Sequence, residues 1–163
     1  MRNLKEKTCC FTGHREITLP VETIQYNLEK QLKRLISSGV IYYGAGGALG
    51  FDTLAALTII KMRNIYPEIK LILVLPCKEQ TKGWNSNDIE IYNYILNQAD
   101  KVVYISENYY PGCMHKRNRH LVDNSSHCIC YLEKNTGGTA YTVNYAKEKG
   151  LTIYNVANNT LII

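Results

Sequence analysis

Six short apolar runs, separated by stretches of helical periodicity, constrain this chain more than any other feature. They are TCCFTG (8–13), VIYYGAG (40–46), KLILVLP (70–76), KVVYIS (101–106), HCICYL (127–132) and TIYNV (152–156). Several are apolar on both faces, as strands covered on two sides must be. Between the first two runs, Ile24, Leu28, Leu32, Leu35 and Ile36 recur at helical spacing until Gly39 stops them. Phe51, Leu54, Ala55, Thr58 and Met62 make a second stripe. NSND (85–88) offers N-caps to a third helix with Tyr92, Ile95, Leu96 and Ala99. A shorter helix is expected over 115–125 and a last one over 137–150, with small residues at its start and lysines near its end.

Strands alternating with helices predict an α/β fold: a three-layer Rossmann-like domain with a mostly parallel sheet of about six strands. No linker, repeat or low-complexity tract interrupts the order, so residues 1–163 are read as one domain. Right-handed crossovers would send every strand-to-helix loop to the C-terminal edge of the sheet, where ligands bind in such folds.

The composition, 45% hydrophobic and 20% charged, is that of an ordinary globular domain. No apolar run approaches the roughly 20 residues of a membrane helix, and the expectation is a cytoplasmic protein with no membrane partner. The six cysteines include no C-x-x-C pair and read as small buried hydrophobes in a reducing compartment. Cys113, His115, His120 and Cys128 match no zinc spacing, so no metal is expected. A net charge of +5 favours an anionic partner without specifying nucleic acid.

Four loops expected at one sheet edge carry the chemistry. The first is Thr12, Gly13, His14 and Arg15. A glycine there allows close backbone approach and Arg15 can grip a phosphate or carboxylate, while the plain alternative is a polar turn. His14 is an anion contact, a general acid or a loop-orienting hydrogen bonder. The second, GAGGALGFD (44–52), offers backbone N–H groups around Gly46 and Gly47, with Asp52 either capping the helix or holding a ligand hydroxyl. Its glycines depart from G-x-G-x-x-G, with Leu49 where the third belongs, and it follows the second strand. The third, residues 107–120, leads into HKRNRH with Arg117 and Asn118, either a ligand contact or a solvated basic helix face. The fourth, NTGGTAYT (135–142), reads as a phosphate cradle at Gly137, Gly138 and Thr139, or as a tight turn with a Thr cap.

In combination FTGHR, GGALGFDTLAA, LPC with the following WN, RN with LVD, and GGTAYTVNYA resemble the SLOG superfamily, most closely its YpsA-like branch. The resemblance covers almost the whole chain. It implies a three-layer nucleotide-binding fold, often oligomeric, whose members sense or process nucleotide-derived ligands. The superfamily's LOG-type enzymes cleave the N-glycosidic bond of nucleoside monophosphates and rely on a G-G-x-G-T-x-x-E loop. Laid on this chain, that loop begins at Gly137 and Gly138, but Ala140 and Tyr141 replace the glycine and threonine, and Asn144 replaces the glutamate. Asn144 cannot ionise, and a hydrolase of that kind needs a carboxylate to activate water or to stabilise an oxocarbenium-like centre, so the phosphate loop is carried over and the activity is not.

The expectation is therefore a sensor of a nucleotide or an ADP-ribose/NAD-like derivative, with no other cofactor assigned. Arg15 and Arg117 would neutralise charge, Asp52 would take a sugar hydroxyl, and Trp84 or Tyr110 would stack on a base. The alternatives are a nucleotide hydrolase with its acid elsewhere, Glu133 and Asp123 remaining available, and, third, a single-stranded nucleic acid binder like the Smf members of the superfamily. Homo-oligomer formation is expected from the resemblance alone.

Overall fold

The computed structural model describes residues 4–163. After a short 3-10 turn at Leu4–Lys7, the order is β1 (Thr8–Gly13), α1 (Val21–Ser37), β2 (Tyr42–Ala45), α2 (Phe51–Met62), β3 (Lys70–Leu75), α3 (Ser86–Gln98), β4 (Lys101–Tyr104), α4 (Cys113–Asp123), β5 (His127–Tyr131), α5 (Gly138–Glu148), β6 (Thr152–Asn155) and β7 (Thr160–Ile162). Asn85 caps α3, its side chain accepting the Asp88 N–H at 2.8 Å.

The sheet order is β4-β3-β2-β1-β5-β6-β7. All neighbours are parallel except β6 and β7. Seven strands replace the expected six or so. The added β7 has only three residues, too few to display alternation, and hydrogen bonding to β6 alone defines it (Ile153 opposite Ile162).

Strand alternation divides the first apolar run between two cores. Cys9 and Phe11 join Ile24, Leu28 and Leu32 of α1, Phe51 and Ile59 of α2, and Ile95 of α3. Cys10 faces the other way, onto Leu121 and Val122 of α4, Cys128 of β5, and Val143 and Ala146 of α5. Helices thus lie on both faces of one sheet, and all six cysteines are buried free thiols. Among the described residues no helix is long and apolar enough to cross a membrane.

The topology also locates the crevice. From β1 the chain steps outward through β2 and β3 to β4, and α4 then returns it to β5 on the other side of β1. The loops leaving β1 and β5 diverge there, opening a ligand-sized gap at their C-terminal ends.

Candidate functional site

Gly13 ends β1 because α2 begins directly against it. A Cβ at position 13 would stand 2.5 Å from the Phe51 Cβ. Phe51 packs edge-on to Phe11 and stacks on Tyr131, with centroids 6.3 and 6.0 Å away. The glycine that the sequence assigned to ligand approach therefore also serves aromatic packing beneath the loop.

His14 continues that junction. Its carbonyl accepts the Phe51 N–H at 3.1 Å, and its Nε2 accepts the Glu133 N–H at 2.9 Å. A ring nitrogen that accepts carries no proton, so the neutral imidazole keeps its proton on Nδ1. Burial and then the Lys134 charge lower its pKa. The bond from the Glu133 N–H ties His14 to the loop after β5, the loop-orienting contact among its three expected roles. The Tyr131 hydroxyl adds a second tie: it accepts the Thr18 N–H at 3.1 Å and donates to Glu133. With the Thr18 hydroxyl at 2.7 Å from the same carboxylate, these bonds hold Glu133 below its ordinary pKa.

Beneath the opening lie two buried ionisable side chains, one from α2 and one from α4. Arg117, 4% exposed, donates Nη1 to the Gly46 carbonyl and Nε to Asn118 Oδ1 at 2.7 Å. Asp52, 6% exposed, accepts the Ala48 N–H at 3.3 Å. Burial pushes Asp52 up to about 6, against the pull of Arg117, the Ala48 N–H and Arg15. Burial also lowers the pKa of Arg117, and Asp52 opposes that. Burying these groups costs desolvation energy, which each offsets in part through its hydrogen bonds.

Above the pair is a cleft of about 540 Å³. One wall carries Thr12 to Glu16 and Thr18, another carries Met114, His115, Arg117 and Asn118 of α4, and Ala48 and Asp52 lie at its base. The loop from Glu133 to Gly138 and Thr139 of α5 complete it. Gly137, at φ 99°, begins α5 with no side-chain cap, and a Cβ at 137 or 138 would meet nothing within 4 Å. The first N–H groups of that helix, which have no intrahelical acceptor, lie at the border of the cleft. Arg15 is exposed, its Nη2 lying 3.5 Å from Met114 Sδ.

The cleft brings together Thr12, Gly13, His14, Arg15, Asp52, Arg117, Asn118, Gly137, Gly138 and Thr139. Four residues expected at the site lie elsewhere. A Cβ on Gly46 would stand 2.6 Å from Arg117 Nη1, and one on Gly47 would stand 2.6 Å from Leu75 Cδ2, so both glycines make room for protein groups. Trp84 sits edge-on to Tyr92, 5.5 Å away, in a separate small crevice between α2 and α3. Tyr110 closes the turn before α4, its carbonyl accepting the Cys113 N–H at 3.1 Å. Asn144 is exposed on α5, and Asp123 accepts the Tyr145 hydroxyl at 2.7 Å away from the cleft. Glu133, considered in the sequence only as an acid out of register, lies inside it. Glu16, Thr18, Met114 and Lys134 were missed, although each neighbours a loop already singled out.

Two solved structures share the architecture. DNA processing protein A from Helicobacter pylori, described for its single-stranded DNA binding mode, superposes with TM-score 0.64 at 19% identity over 94% of this chain and 66% of that one. For the Streptococcus pneumoniae protein the values are 0.67 and 20%, over 94% of this chain and 51% of that one. At such identities the likeness is one of fold. Closer in sequence are UPF0398 proteins of Bacillus thuringiensis (strain Al Hakam) and Bacillus cereus (strain AH187), each 32% identical over 133 residues, 80% of this chain and 72% of theirs. The YpsA family model matches residues 9–160, so that this chain belongs to the YspA SLOG family.

Proposed function

We propose that the cleft binds a nucleotide or nucleotide derivative, of the ADP-ribose/NAD-like kind, and that the protein serves as its sensor. The observation that carries the reading is the uncapped start of α5 at Gly137–Thr139, opening into the same cleft as Arg15. Helix N–H groups and a guanidinium suit one phosphate group. The carboxylates of Glu16, Asp52 and Glu133 share the cleft and would accept sugar hydroxyls. That mixture of signs suits a small ligand better than a bare polyanion.

A thermal-shift screen over mononucleotides, dinucleotides and cyclic nucleotides tests the reading. A ligand at a hundred times its dissociation constant should add about 2.7 kcal/mol. Arg15→Ala should reduce the shift, and a full shift in that variant would count against this site.

Two other readings each have a supporting observation. Asp52, buried and pushed up to about 6, could exchange a proton near neutral pH, which favours a nucleotide hydrolase. Release of free base from nucleoside monophosphates, abolished by Asp52→Asn, would establish it. The fold shared with DNA processing protein A favours single-stranded DNA, for which affinity should rise with oligonucleotide length and fall steeply with salt.

A further inference from the structure

With Trp84 and Tyr110 outside the cleft, a nucleotide held there needs another surface for its base. Two imidazoles line the cleft, His14 and His115. The first is committed: its Nε2 holds the Glu133 N–H, and its ring lies edge-on to Tyr131 at 5.6 Å. His115 is different. It is exposed on the first turn of α4, and its ring meets Tyr141 edge-on, with centroids 4.5 Å apart at 62°.

Tyr141 is held in turn. Its hydroxyl takes the Arg119 Nη1 donor at 3.0 Å, and its N–H donates to the Gly137 carbonyl at 3.0 Å. It therefore stands in the same helical turn as the glycine cradle, yet its side chain remains 42% exposed. An aromatic ring kept at a cleft mouth, oriented by a neighbour and still open to solvent, suits stacking on a flat partner.

We propose that His115, buttressed by Tyr141 and Arg119, is the stacking shelf for the base of a nucleotide whose phosphate lies at the start of α5. This rests on the nucleotide reading above and adds its base-recognition element. Stacking on an aromatic ring is tolerant of base identity, so the shelf favours nucleotides over sugar phosphates without choosing among bases. His115 would contact the ligand, and Tyr141 would position His115.

The test compares AMP with ribose 5-phosphate by isothermal titration on the parent protein and on the His115→Ala, His115→Phe and Tyr141→Ala variants. His115→Ala should weaken AMP about tenfold or more and leave ribose 5-phosphate within about twofold. His115→Phe should retain AMP, and Tyr141→Ala should fall between parent and His115→Ala. Equal weakening of both ligands by His115→Ala would make the imidazole an anion contact and overturn the shelf. Unchanged AMP binding in both alanine variants would reduce the pair to packing between α4 and α5, and loss in His115→Phe would likewise overturn the proposal. Failure of the parent to bind either ligand would refute the nucleotide reading itself, and the shelf with it.

Discussion

Arg117 places its guanidinium in the space that a side chain at position 46 would need, donating from Nη1 to the Gly46 carbonyl. The glycine after β2 and the arginine of α4 are thus one device, separated by 71 residues of chain. Without a Cβ at 46, a buried cation can reach the base of the cleft.

Gly46→Ala should therefore destabilise the fold. The new Cβ would stand 2.6 Å from Arg117 Nη1 in a buried setting. Overpacking of this kind costs about 1–3 kcal/mol, to be read from urea unfolding. Gly138→Ala is the contrasting change, because a Cβ there meets nothing within 4 Å. Its stability should stay within about 0.5 kcal/mol of the parent. Equal losses in the two variants would contradict the packing described here.

Gly13→Ala should also lose about 1–3 kcal/mol, through collision with Phe51. Trimming the partner in the same chain, Phe51→Ala, removes Cγ and Cδ2, two of the three colliding atoms, and should recover part of that loss. A double-mutant cycle measures the coupling, and strict additivity would mean that position 13 does not press on Phe51.

Asp52 should make a distinctive contribution to pH dependence. Its folded-state pKa, about 6, lies above its ordinary value of 3.8, so the native protein holds the extra proton between those limits. Stability from this group is greatest below about pH 4 and declines as pH rises through about 6. Asp52→Asn removes that proton-linked term. The stability difference between parent and variant should therefore shift in the variant's favour from pH 4 to 7, by up to about 3 kcal/mol. A difference that stays flat over this range would exclude the perturbed carboxyl.

His14 should be neutral at pH 7, with its proton on Nδ1. Nitrogen-15 chemical shifts would report the tautomer, and titration should give a midpoint below the ordinary 6.5. Because the folded-state value is lowered, stability contributed by His14 is present above about pH 6.5 and declines as pH falls towards the folded midpoint. An Nε2-protonated ring would contradict the hydrogen bond from the Glu133 N–H.

The sequence was most readable where a residue's role depends on close neighbours in the chain. All six expected strands and all five expected helices are present, because continuous apolar runs mark strands covered on both faces and a 3.6-residue period marks the buried face of a helix. The first apolar run shows this directly, with Phe11 and Cys10 entering opposite cores. Thr12–Arg15 and Gly137–Thr139 could be placed at one sheet edge because α/β connectivity sends such loops there.

Reading was poorest where a local motif had two uses. GAGG looked like a phosphate-binding run, but the spaces over Gly46 and Gly47 belong to Arg117 and Leu75. Trp84 had polar neighbours in sequence and an aromatic neighbour, Tyr92, in space. The HKRNRH cluster gave no sign that Arg117 turns inward while Lys116 stays exposed.

What the sequence by itself determined was the alternating order of elements, the two-sided burial of the strands and the set of loops at the C-terminal edge of the sheet. These follow from continuous apolar runs, from helical periodicity and from the limited ways in which parallel strands can be connected. Only the tertiary structure decided which glycines face a cleft and which face a side chain, which imidazole is already bonded, and that Asp52 and Arg117 share one buried site. Those outcomes depend on contacts between residues far apart in the chain, and close packing settles them group by group.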